Sequence, residues 1–190
     1  MILKNLLSEK RAAILERWFE MVLDSYPVDT SSFLKQQKNQ FANPVGAAIS
    51  QGINGIFEEL LSGKDSDTIS AFLDNIIRVR AVQDFTPSQA VAFIFQLKKV
   101  IREELEKEIS EKQLSDELFA IEARIDKMAM LSFDIYVKCR EKIYDIKANE
   151  LRNMTFRLLQ RANLICEVSE QEKEFLDTKN LNVKRKEVTK

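Results

Sequence analysis

The chain of 190 residues has no histidine, and only 2 cysteines, 3 prolines, 4 glycines and 1 tryptophan. The missing histidine excludes the most chemistry. Imidazole-activated serine or cysteine nucleophiles, histidine-ligated haem, di-iron sites built on Glu-x-x-His and nearly every catalytic zinc arrangement require it. Few glycines and prolines argue against turn-rich β structure. Gly46, Gly52 and Gly55 fall within one predicted helix and match no nucleotide-binding fingerprint. Cys139 and Cys166 have no histidine or second cysteine beside them to activate a thiolate, and they stand too far apart on one predicted helix to bridge within it.

Long apolar runs are also lacking. The longest, Ala90 to Phe95, has six residues, whereas roughly 20 are needed to span a bilayer. The opening "MILKNLLSEKRAAILERWF" reaches Glu9, Lys10 and Arg11 too soon to hold a signal peptide's apolar region. The expected location is therefore the cytoplasm, with no membrane insertion. A basic domain face is missing too. Thr178 to Lys190 carries five basic residues and one acidic, so the net charge of −1 leaves −5 for residues 1–177. That is a poor footprint for a nucleic-acid partner, and residues 171–190 read as a charged, disordered tail.

What remains is 45% hydrophobic and 31% charged. This suits one all-α domain over residues 1–170, with a core large enough to form without staples. Apolar spacing predicts a first helix over 3–25, ended by Pro27, then a short helix in "DTSSFLKQQKNQF". "NPVG" restarts the chain, with Asn43 as cap and Pro44 as first helical residue, and Gly63 stops that helix. A further helix runs from Asp65 or Asp67 to about Asp84. "TPSQ" at 86–89 then combines a cap threonine, a first-position proline and a glutamine three residues on, the pattern of a capping box. The helix it opens should lie mid-core through Phe95. A last helix from about Leu118 extends beyond Ile165. Met130, Val137, Tyr144, Leu151, Leu158 and Ile165 recur on it every seven residues, as in one seam of a coiled coil. Two readings stand: the helix pairs with a second copy, or it lies on its own domain.

The polar insert "RVRAVQD" at 78–84 interrupts what otherwise reads as core. At 100° per residue, Arg78 falls on the solvent side, four residues after Asp74. Arg80 falls roughly 20° from the centre of the apolar face, with Gln83 and Asp84 within about 60°, so all three are predicted to point inward. A buried guanidinium must be paired or hydrogen-bonded. Either Arg80 meets Asp84 or carbonyls at its own helix end, or Arg80 and Gln83 face a pocket for an anionic or polar ligand, lined by Trp18 and Phe93. The carboxylates of "REELEKEISEK" at 102–112 spread around a helix and read as a solvated face rather than a metal site. No constellation of nucleophile, base and metal can be assembled, so an enzyme is not expected.

"FANPVGAAISQGINGIFEELLSGKD" and "LDNIIRVRAVQDFTPSQAVAFIFQLKKVIREEL" resemble the RsbRD N-terminal domain, the sensory module of RsbT co-antagonist proteins in stressosomes. The resemblance covers about residues 5–165, most specifically at "NPVG" (43–46) and "RAVQDFTPSQAV" (80–91). It implies a non-enzymatic regulatory module of about six helices, globin-like and haem-free, without cofactor or metal. It also implies a homodimer that passes a signal through its long final helix to a protein partner, with Val137, Tyr144, Leu151, Leu158 and Ile165 on the signalling face. Members of the family often precede a STAS domain that binds an RsbT-type kinase. This chain ends at Lys190 without one, so a stand-alone sensor or adaptor acting on another partner is expected. The alternative is a small-molecule binding protein with an internal pocket near Arg80.

Overall fold

The computed structural model describes residues 2–37, 39, 41–63, 68–83, 85–111, 113–162 and 164. Among them are eight helices and no strand. They are α1 (Ile2–Glu9), α2 (Arg11–Asp24), α3 (Val28–Gln36), α4 (Pro44–Ser62), α5 (Thr68–Val82), α6 (Pro87–Glu104), α7 (Glu106–Glu111) and α8 (Ser115–Arg161). The fold is all-α, and no described helix is long and apolar enough to cross a membrane. The chain divides into two units, Met1–Ile143 and Tyr144–Lys190. Ile165, Cys166 and the tail 171–190 lie outside the described residues.

Eight helices stand where about six were expected because two predicted helices are kinked. Lys10 separates α1 from α2, yet its amide still reaches Leu6 O at 2.9 Å and its carbonyl still accepts from Ile14 N at 3.0 Å. Leu105 separates α6 from α7 in the same way, with Leu105 N on Ile101 O at 3.1 Å and Ile109 N on Leu105 O at 2.9 Å. The kinks meet: Lys10 Nζ donates to the Glu104 carbonyl at 2.5 Å and pairs with Glu108 at 2.7 Å. The first helix therefore bends at the residue whose cation closes the bend of another. Other carboxylates of the "REELEKEISEK" stretch also meet cations, Glu103 and Glu104 pairing with Arg17.

Local sequence accounts for most helix ends. Asn43 Oδ1 accepts from Gly46 N at 2.8 Å, while Nδ2 donates to Leu34 O and Gln37 O at 2.9 and 2.8 Å. One buried side chain thus starts α4 and closes α3. Gly63 ends α4 with φ of 77°, a left-handed conformation that glycine adopts at little cost. Thr86 and Gln89 form the expected capping box. α8 begins at Ser115, three residues earlier than predicted, with Asp116 and Glu117 in its first turn, where the helix dipole favours negative charge. Glu117 also accepts from the amides of Ile2 and Leu3 at 3.3 and 2.9 Å, filling orphan donors at the start of α1.

The core of the first unit is built where α2 packs on α6 and α4 on α5. Trp18, Phe57, Ile76, Phe93 and Ile125 are buried in it. Phe95 instead turns partly to the surface, with Lys98 Nζ 5.9 Å from its ring centroid, so α6 is not surrounded by core throughout its first half. The approach of α4 to α5 depends on Gly52: a Cβ there would lie 2.6 Å from Ile76 Cδ1 and 3.2 Å from the Phe72 carbonyl oxygen. Gly52→Val should therefore lower the unfolding free energy by about 2 kcal/mol or more, because the obstruction includes backbone. Urea denaturation measures this, and a change within about 0.5 kcal/mol would show that the two helices part without cost.

Candidate functional site

On α5, residues 73, 76, 77, 80 and 81 form the buried face, and Arg80 is among them with no exposed surface. Its guanidinium donates to Gln89 O at 3.0 Å through Nη1, and to Ser25 Oγ at 2.8 Å and Val22 O at 3.3 Å through Nη2. The acceptors thus come from the first turn of α6 and the last turn of α2, not from Asp84 or from the end of α5 itself. The two at the end of α2 have a physical reason to be there. Val22 is among the last residues of α2, whose final carbonyls lack intrahelical partners and form the negative end of the helix dipole. Ser25 follows α2 directly, and its hydroxyl also donates to Val22 O at 2.6 Å.

Three aromatic rings enclose the cation. Cζ of Arg80 lies 4.9 Å from the centroid of Phe85, 5.1 Å from Phe93 and 5.3 Å from Tyr26. Ring faces carry partial negative charge and return part of the hydration that burial removes. Tyr26 and Phe85 meet edge to face at 5.1 Å. Trp18 stacks on Phe93 with centroids 6.3 Å apart and donates Nε1–H to the Phe93 carbonyl at 2.7 Å. Among the described residues no carboxylate pairs with Arg80, and Arg80 Nε and Tyr26 Oη have no hydrogen-bond partner. Burial pulls the Arg80 guanidinium below its ordinary pKa, an effect that nearby Tyr26 opposes. Burial likewise raises the Tyr26 hydroxyl above its ordinary 10.0, and Arg80 counters part of that rise. The two groups attract each other without reaching hydrogen-bond geometry.

The structure brings Arg80, Trp18 and Phe93 together and leaves Gln83 out. Gln83 is exposed in the turn after α5, because the helix ends at Val82 before the predicted periodicity can carry it inward. Asp84 lies outside the described residues. Arg78 forms the expected surface bonds with Asp74, at 2.8 and 3.1 Å. Cys139 is half-buried, and burial pushes its thiol pKa up, away from an activated thiolate. Hollows of about 360 Å³, bordered by Phe19, Lys35, Asn43 and Ser50, and about 670 Å³, bordered by Arg102, Glu106 and Asp116, do not touch Arg80, Trp18 or Phe93. Among the described residues, the space around the Arg80 guanidinium is taken up by the rings of Tyr26, Phe85 and Phe93 and by its three hydrogen-bond acceptors.

Sequence reasoning missed Tyr26, Phe85 and Ser25, which complete this cluster, and Tyr136 and Arg140, which grip its edge from α8. Tyr136 Oη donates to the Phe85 carbonyl, and Arg140 Nη1 to the Ala81 carbonyl at 3.0 Å. The available signal was the position of Ser25 and Tyr26 just before Pro27, at a helix end where free carbonyls gather. On α8 itself the seven-residue ladder divides. Val137 is half-buried, whereas Met130, Tyr144, Leu151 and Leu158 are each more than half exposed. From Tyr144 onward every described residue except Leu159 is exposed, and helix continues through "KANELRN" to Arg161.

Residues 12–151 match the family described as the RsbT co-antagonist protein rsbRD N-terminal domain. An uncharacterized protein of Archaeoglobus fulgidus is 25% identical over 145 residues, which cover 74% of this chain and 83% of the relative. No solved structure matches.

Two measurements test the Arg80 cluster. Arg80→Ala should cost about 3 kcal/mol or more, through the cavity it opens and the bonds it removes, whereas Arg80→Met, which keeps much of the volume and removes the buried charge, should be milder by at least about 1 kcal/mol. Equal losses in urea denaturation would mean that the charge itself stabilises the fold. For Tyr26, the unfolded chain releases the phenolic proton near pH 10, while the folded chain holds it to higher pH. Stability is therefore unaffected by this group below about pH 10 and falls as pH rises above that. Tyr26→Phe should lose less stability than the natural chain between about pH 9 and 11, read from thermal midpoints.

Proposed function

The chain belongs to the RsbT co-antagonist protein rsbRD N-terminal domain family, a stressosome-related signalling family, and on that premise we propose that it is a non-enzymatic sensor or adaptor of the cytoplasm. It dimerises through α8 and uses the same helix to pass a signal to a regulatory protein partner. A haem-free, globin-like first unit supplies the signal-receiving body.

The observation that carries this reading is the exposed apolar stripe. At 100° per residue, Tyr144, Ala148, Leu151, Thr155 and Leu158 fall within about 40° either side of one line. Tyr144, Leu151 and Leu158 are 57%, 66% and 63% exposed. Water is an unfavourable neighbour for such a row, since fully burying one leucine side chain is worth about 1.5–3 kcal/mol. Alanine and threonine between the large residues let a facing helix approach closely. A helix shared by two copies can occupy two discrete registers, and a ligand or partner that binds one register better shifts the population toward it.

Leu151→Lys and Leu158→Lys each place a charge in the stripe and should convert the dimer to a monomer, read as a halved mass in light scattering at micromolar protein. The fold of residues 1–143 should survive, since neither side chain is buried. A natural chain that is already monomeric under those conditions would overturn the dimer reading.

A further inference from the structure

α8 is anchored at several points. Glu117 holds the start of α1, Glu122 pairs with Arg102, Asp126 with Lys98, and Arg124 donates to the carbonyls of Glu59 and Leu60 at the end of α4. The two anchors nearest the exposed stripe, Tyr136 and Arg140, both end on the corner between α5 and α6.

The carbonyls they use belong to a helix terminus. α5 ends at Val82, and the last four carbonyls of a helix lack intrahelical partners. Phe85 N bonds to Arg80 O at 3.3 Å, which leaves Ala81 O for Arg140. The positive charge of Arg140 also suits the negative end of the α5 dipole. On its other side the corner faces the buried cation. Phe85 lays its ring 4.9 Å from Arg80 Cζ while its carbonyl accepts from Tyr136, and Arg80 is the chain neighbour of Ala81.

We propose that the α5–α6 corner is a register latch for α8, in which Tyr136 and Arg140 read the arrangement of the Arg80 cluster through the carbonyls of Phe85 and Ala81. This names the regulation of the dimerising helix and rests on the function proposed above. Arg140 stands four residues before Tyr144 on one continuous helix. The latch residues and the stripe thus belong to the same helix. Both side chains grip the corner through its backbone carbonyls. Tyr136 is itself buried beside Ile135, so release of the latch is a local opening of this stretch of α8, a smaller event than global unfolding.

Hydrogen exchange on the full-length chain tests this without requiring a dimer, using peptides from residues 128–143. Ser25→Ala removes one bond to Arg80 and perturbs the cluster gently; Arg80→Lys perturbs it more strongly. Either should speed exchange in 128–143 by about tenfold in the natural background. In a Tyr136→Phe, Arg140→Ala background exchange should already be fast, and the same cluster changes should add less than about twofold, the non-additivity expected of coupled residues. If the cluster changes leave 128–143 unaltered, or act equally in both backgrounds, the latch does not exist. Ser25→Ala keeps the test alive where Arg80→Lys fails to fold. Light scattering on the same samples reports the oligomer separately, so a missing dimer and a missing latch are distinguishable.

Discussion

A guanidinium withdrawn from water sets the terms for the centre of this fold. Arg80 is fully buried with no carboxylate paired to it among the described residues, so its charge is met by weaker partners: two helix-terminal carbonyls, a hydroxyl and three ring faces. None of these suffices alone, because leaving such a group unsolvated costs several kcal/mol, a large part of a domain's stability. Only one arrangement of α2, α5 and α6 delivers all of them. The end of α2 must come to Arg80, Phe85 must fold back over it, and the Thr86 box must begin α6 so that Gln89 presents its carbonyl. The polar insert in an apolar helix is thereby the feature that specifies the corner.

The rest of the first unit shows the same economy of devices at helix ends. Asn43 closes one helix and opens the next, Glu117 fills the start of α1 from α8, and Lys10 bridges two kinks. Each joins segments distant in sequence by satisfying backbone groups that helices leave unpaired. Side-chain-to-terminus bonds of this kind fix register, whereas the apolar core around Trp18 and Phe93 supplies most of the driving force. Gly52 allows α4 and α5 to approach closely enough for that core to be continuous.

α8 serves two environments with one helix. Its earlier turns bury Ile121, Ile125, Met128 and Tyr136, whereas its later turns expose tyrosine and leucine at the same seven-residue spacing. A surface helix with nothing further to cover would carry polar residues at those positions. The leucines there form the stripe on which the proposed dimer rests, in a chain that belongs to a signalling family.

The sequence by itself determined the helical class, the caps at Asn43, Gly63 and Thr86, the solvent side of Arg78 and the inward side of Arg80. All of these follow from interactions within a few residues, where spacing and side-chain chemistry are sufficient. It misplaced Gln83, because the wheel assumes a helix that in fact stops at Val82. It missed the kinks at Lys10 and Leu105, where hydrogen bonding continues and the apolar pattern hardly changes. The partners of Arg80 were decided only by tertiary structure: Val22 and Ser25 lie more than fifty residues away in the chain, and Tyr136 and Arg140 reach the corner across similar separations. No periodicity encodes such meetings, since they arise from the way separate helices pack once each has formed.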